Sequence, residues 1–216
     1  MWLSFYNREA VGDTLMLTKG DIAVRQEQAC ESKGNVTRIF NNRTNETMGY
    51  NLFSISDTLA LDANGQVLLS DEEAEKVNAL IQAAGFSDAI VVDRSPKFVV
   101  GYVKECVPHE DSDHLSVTQT EVDNGEVLQI VCGAANIKKG QRVVVAKPGA
   151  VMPSGLIIWP GELRGVASQG MICSAKELQL ENASPKKGIL VLDDSYAIGA
   201  AFFKQPYGIL SEKEVL

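Results

Sequence analysis

From Phe98 to Leu192 the chain is a succession of short β-prone runs separated by glycine, asparagine and proline, and this pattern constrains the fold more than any other feature. Phe98–Val103 is aromatic and β-branched. Leu115–Val122 alternates Leu115 and Val117 against Ser116 and Thr118. Asn124-Gly125 then marks a hairpin turn, because both residues tolerate positive φ. Leu128–Cys132, Arg142–Ala146, Leu156–Trp159, Gly170–Cys173 and Ile189–Leu192 follow, with Gly149 and Pro153 punctuating the loop after the second of these. Five or more short strands at this spacing predict a small closed barrel.

The first half reads differently. β-prone runs at Trp2–Tyr6, Thr14–Thr18, Val36–Phe40 and Tyr50–Ile55 are separated by glycine and asparagine turns. One helix is evident. Ser70 is an N-cap with Glu73 three residues on, which makes a capping box. Ala74, Val77, Leu80, Ile81 and Ala84 form an apolar stripe at helical spacing, and Gly85 supplies the stop. A short strand, Ala89–Val92, is expected next. Asp93-Arg94-Ser95-Pro96 reads as a linker, since proline resists continuing either element. The expected organisation is an α+β domain over residues 1–95, an all-β barrel domain over 96–203, and a tail over 204–216.

No apolar run approaches the roughly 20 residues that cross a bilayer, so no membrane association is expected. Met1–Asp13 shows no basic flank followed by an apolar stretch, which predicts no secretory signal and a cytoplasmic location. Cys30, Cys106, Cys132 and Cys173 include no CxxC pair of the sort that structural zinc sites use. Cys106, Cys132 and Cys173, within or beside apolar stretches, read as small buried hydrophobes of a reduced protein. The net charge of −8 opposes general nucleic-acid binding, but its distribution matters more than its sum. Residues 1–95 carry 8 basic and 14 acidic side chains, whereas residues 96–181 carry 8 and 10. In the second half the acids cluster from Glu105 to Glu126. The bases come later, at Lys138, Lys139, Arg142, Lys147, Arg164, Lys176, Lys186 and Lys187, which allows a one-sided basic surface.

Within Val100–Leu180, landmarks recur in a specific order: His109 with Asp111, Asp113 and Leu115; Ile130-Val131-Cys132-Gly133-Ala134 with Asn136; Gly140, Val143–Ala146 and Gly149; Leu163-Arg164-Gly165-Val166; Ser168-Gln169-Gly170-Met171; and Cys173-Ser174 with Glu177-Leu178. This order, continued to about Gly199, resembles the tRNA-binding domain of the β chain of bacterial phenylalanyl-tRNA synthetase. The same domain is appended to methionyl-tRNA synthetases and to the endothelial-monocyte-activating polypeptide group, and it occurs in stand-alone proteins. With about 90 residues beginning Trp2-Leu3-Ser4-Phe5-Tyr6-Asn7 in front of it, the chain resembles the YtpR-type tRNA-binding proteins of Gram-positive bacteria. The resemblance implies an OB-fold that grips tRNA by its shape, at the outer corner of the L, without reading an anticodon.

Shape-led recognition needs phosphate and ribose contacts more than base-edge contacts. Lys138, Lys139, Arg142 and Lys147 are candidates for phosphate contact, each releasing counterions. Asn136 is a candidate for a ribose or base edge. Ser168, Gln169 and Ser174 are short polar groups beside glycines where a backbone can approach. Met171 is a candidate for packing on an unstacked base, and Arg164 is a further cation. Each has a structural alternative: an ion pair for Arg164, a turn for Asn136, capping of a short helix over Ala175–Leu178 for Ser168 and Ser174, the core for Met171, and a solvated surface for the lysines.

His109-Glu110-Asp111-Ser112-Asp113-His114 gathers two imidazoles and three carboxylates, but it reads as an inter-strand turn held by Asx-type hydrogen bonds and not as a metal site. The resembled domains usually carry proline where Glu110 stands, and the extra charge puts this loop's contribution to RNA binding in doubt. No GxSxG, Walker loop, HExxH or Rossmann fingerprint occurs, so neither enzyme activity nor a cofactor is expected. The competing expectation is a protein–protein module that docks on a synthetase or another translation component, which the acidic first half favours. Some of the resembled barrels pair, and a homodimer stays open.

Overall fold

The computed structural model describes residues 1–20, 25–181, 183 and 187–203. Lys186 and the expected tail over 204–216 lie outside the described residues. The chain divides into two compact units, Met1–Ser95 and Pro96–Leu216.

The first unit runs β1 (Leu3–Asn7), α1 (Arg8–Val11), β2 (Thr14–Thr18), β3 (Gln28–Lys33), β4 (Val36–Asn41), β5 (Thr47–Phe53), β6 (Asn64–Val67) and α2 (Asp71–Ala83). The strands form one antiparallel sheet in the order β3-β4-β5-β2-β1-β6. Helix α2 starts as its sequence dictates. Glu73 N–H donates to Ser70 Oγ at 3.2 Å, and Ser70 N–H donates to Glu73 Oε2 at 2.7 Å. Such a cap contributes about 1 kcal/mol. Val77 and Ile81 on its apolar stripe join Leu15, Leu17, Tyr50 and Leu52 of the sheet in a single buried cluster.

This unit departs from the expectations at Ala89–Val92, at β3 and at β6, whose residues were not expected to form a strand. Ala89–Val92 is not a strand; only an isolated bridge joins Val92 to Trp2. The Asn78 side chain takes both backbone groups of Ile90, donating to its carbonyl at 3.0 Å and accepting from its N–H at 2.6 Å, so a side chain replaces the ladder. Strand β3 was not expected, because Gln28, Glu31, Ser32 and Lys33 are poor strand formers. Its signal was the Gly34-Asn35 turn, which closes the two-residue hairpin between Lys33 and Val36.

The second unit is the expected OB-fold. It comprises β7 (Phe98–Pro108), β8 (Ser116–Glu121), β9 (Val127–Cys132), β10 (Arg142–Ala146), β11 (Gly161–Leu163), β12 (Val166–Ser168), β13 (Met171–Ile172) and β14 (Val191–Leu192). Its main sheet has the order β13-β10-β7-β8-β9, with β14 also on β10. The barrel closes where Gln169 N–H donates to Gln129 O at 2.8 Å and Val131 N–H donates to Ser168 Oγ at 3.1 Å, tying the β12–β13 segment to β9. Asn124 and Gly125 have φ of 58° and 73°, as the hairpin required. Leu156–Trp159 is not a strand: only a bridge between Val151 and Ile157 forms. Instead β11 and β12 make a hairpin that runs through Arg164-Gly165.

After Arg142, strand β10 is apolar because both of its faces are covered. Val143 and Val145 point into the barrel with Val99, Val103, Leu128 and Ile130. Val144 and Ala146 point to a second layer with Phe98, Leu178, Phe202 and Phe203. Gly101 makes the closely packed interior feasible. A Cβ there would lie 2.5 Å from Val145 Cγ2 and 2.9 Å from Thr120 Cγ2. The interior is thus a packed core, and any ligand must bind outside it. Among the described residues, no helix is long and apolar enough to cross a membrane.

Candidate nucleic-acid interface

A groove of about 1250 Å³ runs along the outside of the barrel where the end of β9, the loop before β11, the β12–β13 segment, the turn after Ser174 and the approach to β14 converge. Of the ten residues singled out from sequence, Asn136, Ser168, Met171 and Ser174 line this groove. Lys138, Lys139, Arg142, Lys147, Arg164 and Gln169 do not.

The polar groups lining the groove are held by the fold. Asn136 Nδ2 donates to Ile189 O at 3.1 Å, and Ile189 N–H donates to Asn136 Oδ1 at 2.9 Å. This clasp pins the segment before β14 against the β9–β10 loop, and it depends on Gly188: its φ is 142°, and a Cβ would fall 2.6 Å from Asn136 Oδ1. Ser168 is buried and accepts from Val131 as described above. Ser174 accepts from Glu177 N–H at 3.1 Å and donates through its own N–H to Glu177 Oε2 at 2.7 Å, a reciprocal cap on a turn. Met171 is half-buried against the Phe98–Phe202 layer while also facing the groove.

The cations divide sharply. Lys147 is the most deeply committed to the fold: its Nζ donates to Asp123 Oδ1 at 2.6 Å and Oδ2 at 2.8 Å, and only 8% of the residue is exposed. It forms a structural ion pair. Arg142 is paired through Nη1 with Asp194 at 2.6 Å, and its Nε is buried without a hydrogen-bond partner among the described residues. Arg164 has φ of 49° in the β11–β12 turn and donates through Nη1 to Asp111 O at 2.8 Å. Lys138 and Lys139 are exposed on the β9–β10 loop, where Lys138 N–H donates to Gln141 Oε1 at 2.7 Å. Gln169 is exposed beside the barrel closure.

Lys176 and Lys187 line the groove and are exposed. Neither forms an ion pair among the described residues. They stood among the later bases in the sequence but were not singled out. Trp159, also in the groove wall, was missed because its run was taken for a strand. Two carboxylates share the groove, Glu162 and the Ser174-bound Glu177.

The His109–His114 loop is held by an imidazole, which corrects the expected Asx-type pattern. Asp111 N–H donates to His109 Nδ1 at 3.0 Å, so Nε2 carries the proton and donates to Leu163 O at 3.2 Å. Together with Arg164, this ties the loop to the β11–β12 hairpin. Among the described residues, no three His, Cys, Asp or Glu side chains converge as metal ligands. Cys132 and Cys173 are buried as expected, Cys106 is only half-buried, and Cys30 is exposed. Burial raises the thiol pKa of Cys132 and of Cys173.

Residues 98–201 match the family model described as "Putative tRNA binding domain", and residues 23–93 match a domain of unknown function, DUF4479. The β subunit of phenylalanine–tRNA ligase from Campylobacter jejuni strain RM1221 is 44% identical over 134 residues, covering 61% of this chain but 17% of the ligase. The corresponding subunit of Oceanobacillus iheyensis is 56% identical over 91 residues, covering 42% of this chain and 11% of the ligase. In both, the ligase extends far beyond the shared segment. The "Putative tRNA-binding protein YtpR" of Bacillus subtilis is 53% identical over 199 residues, spanning 92% of this chain and 98% of that protein. A relationship of that extent, through both units, is one of family: this chain belongs to the YtpR family.

Proposed function

We propose that the chain is a non-catalytic, cytoplasmic tRNA-binding protein whose OB-fold holds the shape and backbone of tRNA along the outer groove. The observation that carries this reading is the division of the cations. Lys147, Arg142 and Arg164 are spent on the fold, while Lys176 and Lys187 in the groove and Lys138 and Lys139 on the neighbouring loop keep their charge for a ligand. A polyanion fits unpaired ammonium groups around small side chains and glycine backbone. The names of the relatives, both the tRNA-binding protein and the tRNA ligases, support the same ligand.

Asn136, Ser168 and Ser174 hold the groove in shape, Met171 supplies apolar floor, and Gln169 supplies a polar group beside the barrel closure. His109, buried with both ring nitrogens bonded, is poorly placed for proton transfer, which accords with a binding role.

The test is a titration of the full chain with purified tRNA at increasing salt. Affinity should fall log-linearly, and a Lys176→Glu, Lys187→Glu variant should bind more weakly with a slope shallower by roughly 1.5 to 2. Affinity that ignores both salt and these substitutions defeats the reading.

A further inference from the structure

We infer that Trp159 is a stacking platform for an unpaired base of the bound RNA, so that the groove takes a nucleotide lying outside a continuous double helix. The inference rests on the tRNA-binding reading and specifies which part of the RNA the groove engages.

Trp159 is half-buried and lines the groove. Its neighbour Ile158 is buried in the second core layer, and its backbone is fixed at both ends: Ile158 N–H donates to Ala150 O at 2.8 Å, and Gly149 N–H donates to Ile158 O at 2.7 Å. Pro160 follows directly. The indole therefore stands on a rigid stalk. Among the described residues its ring stacks on no other aromatic ring, sits under no cation, and its N–H meets no acceptor. Here a large aromatic surface is left facing an open groove.

The surroundings fit one kind of occupant. Lys176 and Lys187 offer positive charge in the same groove that meets no carboxylate among the described residues, and Gly133, Gly170 and Gly188 leave parts of its wall without side chains. The volume exceeds that of pockets shaped for small molecules, which run to roughly 1,000 Å³. Aromatic surface beside cations is how proteins hold single-stranded nucleic acid, because every base has a π-face and every linkage a charge. A continuous duplex keeps its bases stacked inside and would offer only phosphates to this wall.

The chain contains two tryptophans, so a Trp2→Phe variant leaves Trp159 as the sole indole reporter. Its emission should be quenched on saturation with tRNA or with a hexameric single-stranded RNA, and should change little with a blunt RNA duplex. In the otherwise native chain, Trp159→Ala should weaken tRNA binding on the order of tenfold while Trp159→Phe retains most of the affinity. Circular dichroism would verify that both variants fold. The inference is overturned if Trp159→Ala binds tRNA like the native chain and Trp159 emission is unmoved at saturation, while Lys176→Glu, Lys187→Glu still loses binding. Failure of the native chain to bind tRNA would instead remove the functional reading itself, and this inference with it.

Discussion

The ammonium of Lys147, at the end of β10, lies between the two carboxylate oxygens of Asp123 in the β8–β9 turn, and the two side chains are only 10% and 16% exposed. Removing the lysine leaves a largely desolvated carboxylate without its partner, a change that costs about 3 kcal/mol or more. Lys147→Met should therefore lower the midpoint of denaturant unfolding markedly, whereas the paired change Lys147→Met, Asp123→Leu should recover much of the loss. The tRNA affinity of the folded fraction should stay near that of the native chain. A large affinity loss in a fully folded Lys147→Met protein would return this residue to the interface.

The Asn136 clasp predicts a second stability effect. Asn136→Ala leaves the backbone N–H and C=O of Ile189 without partners, at a cost of about 1–3 kcal/mol. Gly188→Ala forces a Cβ into the same amide and should destabilise in the same direction. Thermal melts of the two single variants and the double variant would check this, because two routes to one broken clasp should be less than additive.

Glu162 places negative charge in a groove proposed to hold a polyanion. Glu162→Gln should tighten tRNA binding several-fold at low salt, with the advantage shrinking as salt screens it. Binding isotherms at two ionic strengths would show whether the gain is electrostatic.

Thiol reactivity should follow burial. Cys30 is exposed and should react with a thiol-specific reagent at once, with Cys106 slower. Cys132 and Cys173 are buried, and burial disfavours their thiolates, so they should react only on unfolding. Counting modified cysteines by mass spectrometry over time, with and without denaturant, gives the order directly.

In the first unit, hydrogen bonds from the Ser56 side chain, then from Tyr6 and the Ser56 backbone, hold the Asp13 carboxyl below its usual pKa despite some opposing desolvation. A depressed folded pKa means that the unfolded chain takes up the proton first as pH falls. The stabilisation is therefore fully present above the ordinary carboxylate range and is lost as pH falls through the folded value. Asp13→Asn should lower the melting temperature at neutral pH and show a smaller drop between neutral pH and roughly pH 3 than the native chain.

The expectations that survived rest on short-range chemistry. The α2 start was legible because Ser70 and Glu73 are three residues apart and need nothing else. The Asn124-Gly125 turn was legible because its φ values follow from residue type. The expectations that failed depended on side chains reaching in from elsewhere. Ala89–Val92 has strand composition, yet the Asn78 amide, 12 residues earlier, takes its backbone groups. Trp159 was read by its neighbours as part of a strand, and only the course of the loop shows it in a groove wall. Gly34-Asn35 was an overlooked local signal that would have revealed β3, as Arg164-Gly165 was for the β11–β12 hairpin.

Residue type and order alone determined that this chain carries a small closed barrel behind an α+β unit, because turns, caps and strand alternation are decided among residues a few positions apart. They did not determine which basic groups are available to a ligand. That was decided in three dimensions, where Lys147 meets Asp123 across 24 positions and Arg142 meets Asp194 across 52, while Lys176 and Lys187 meet no carboxylate among the described residues. A charge can be counted along a chain, but its neutralisation falls off with distance through space, and only the fold sets those distances.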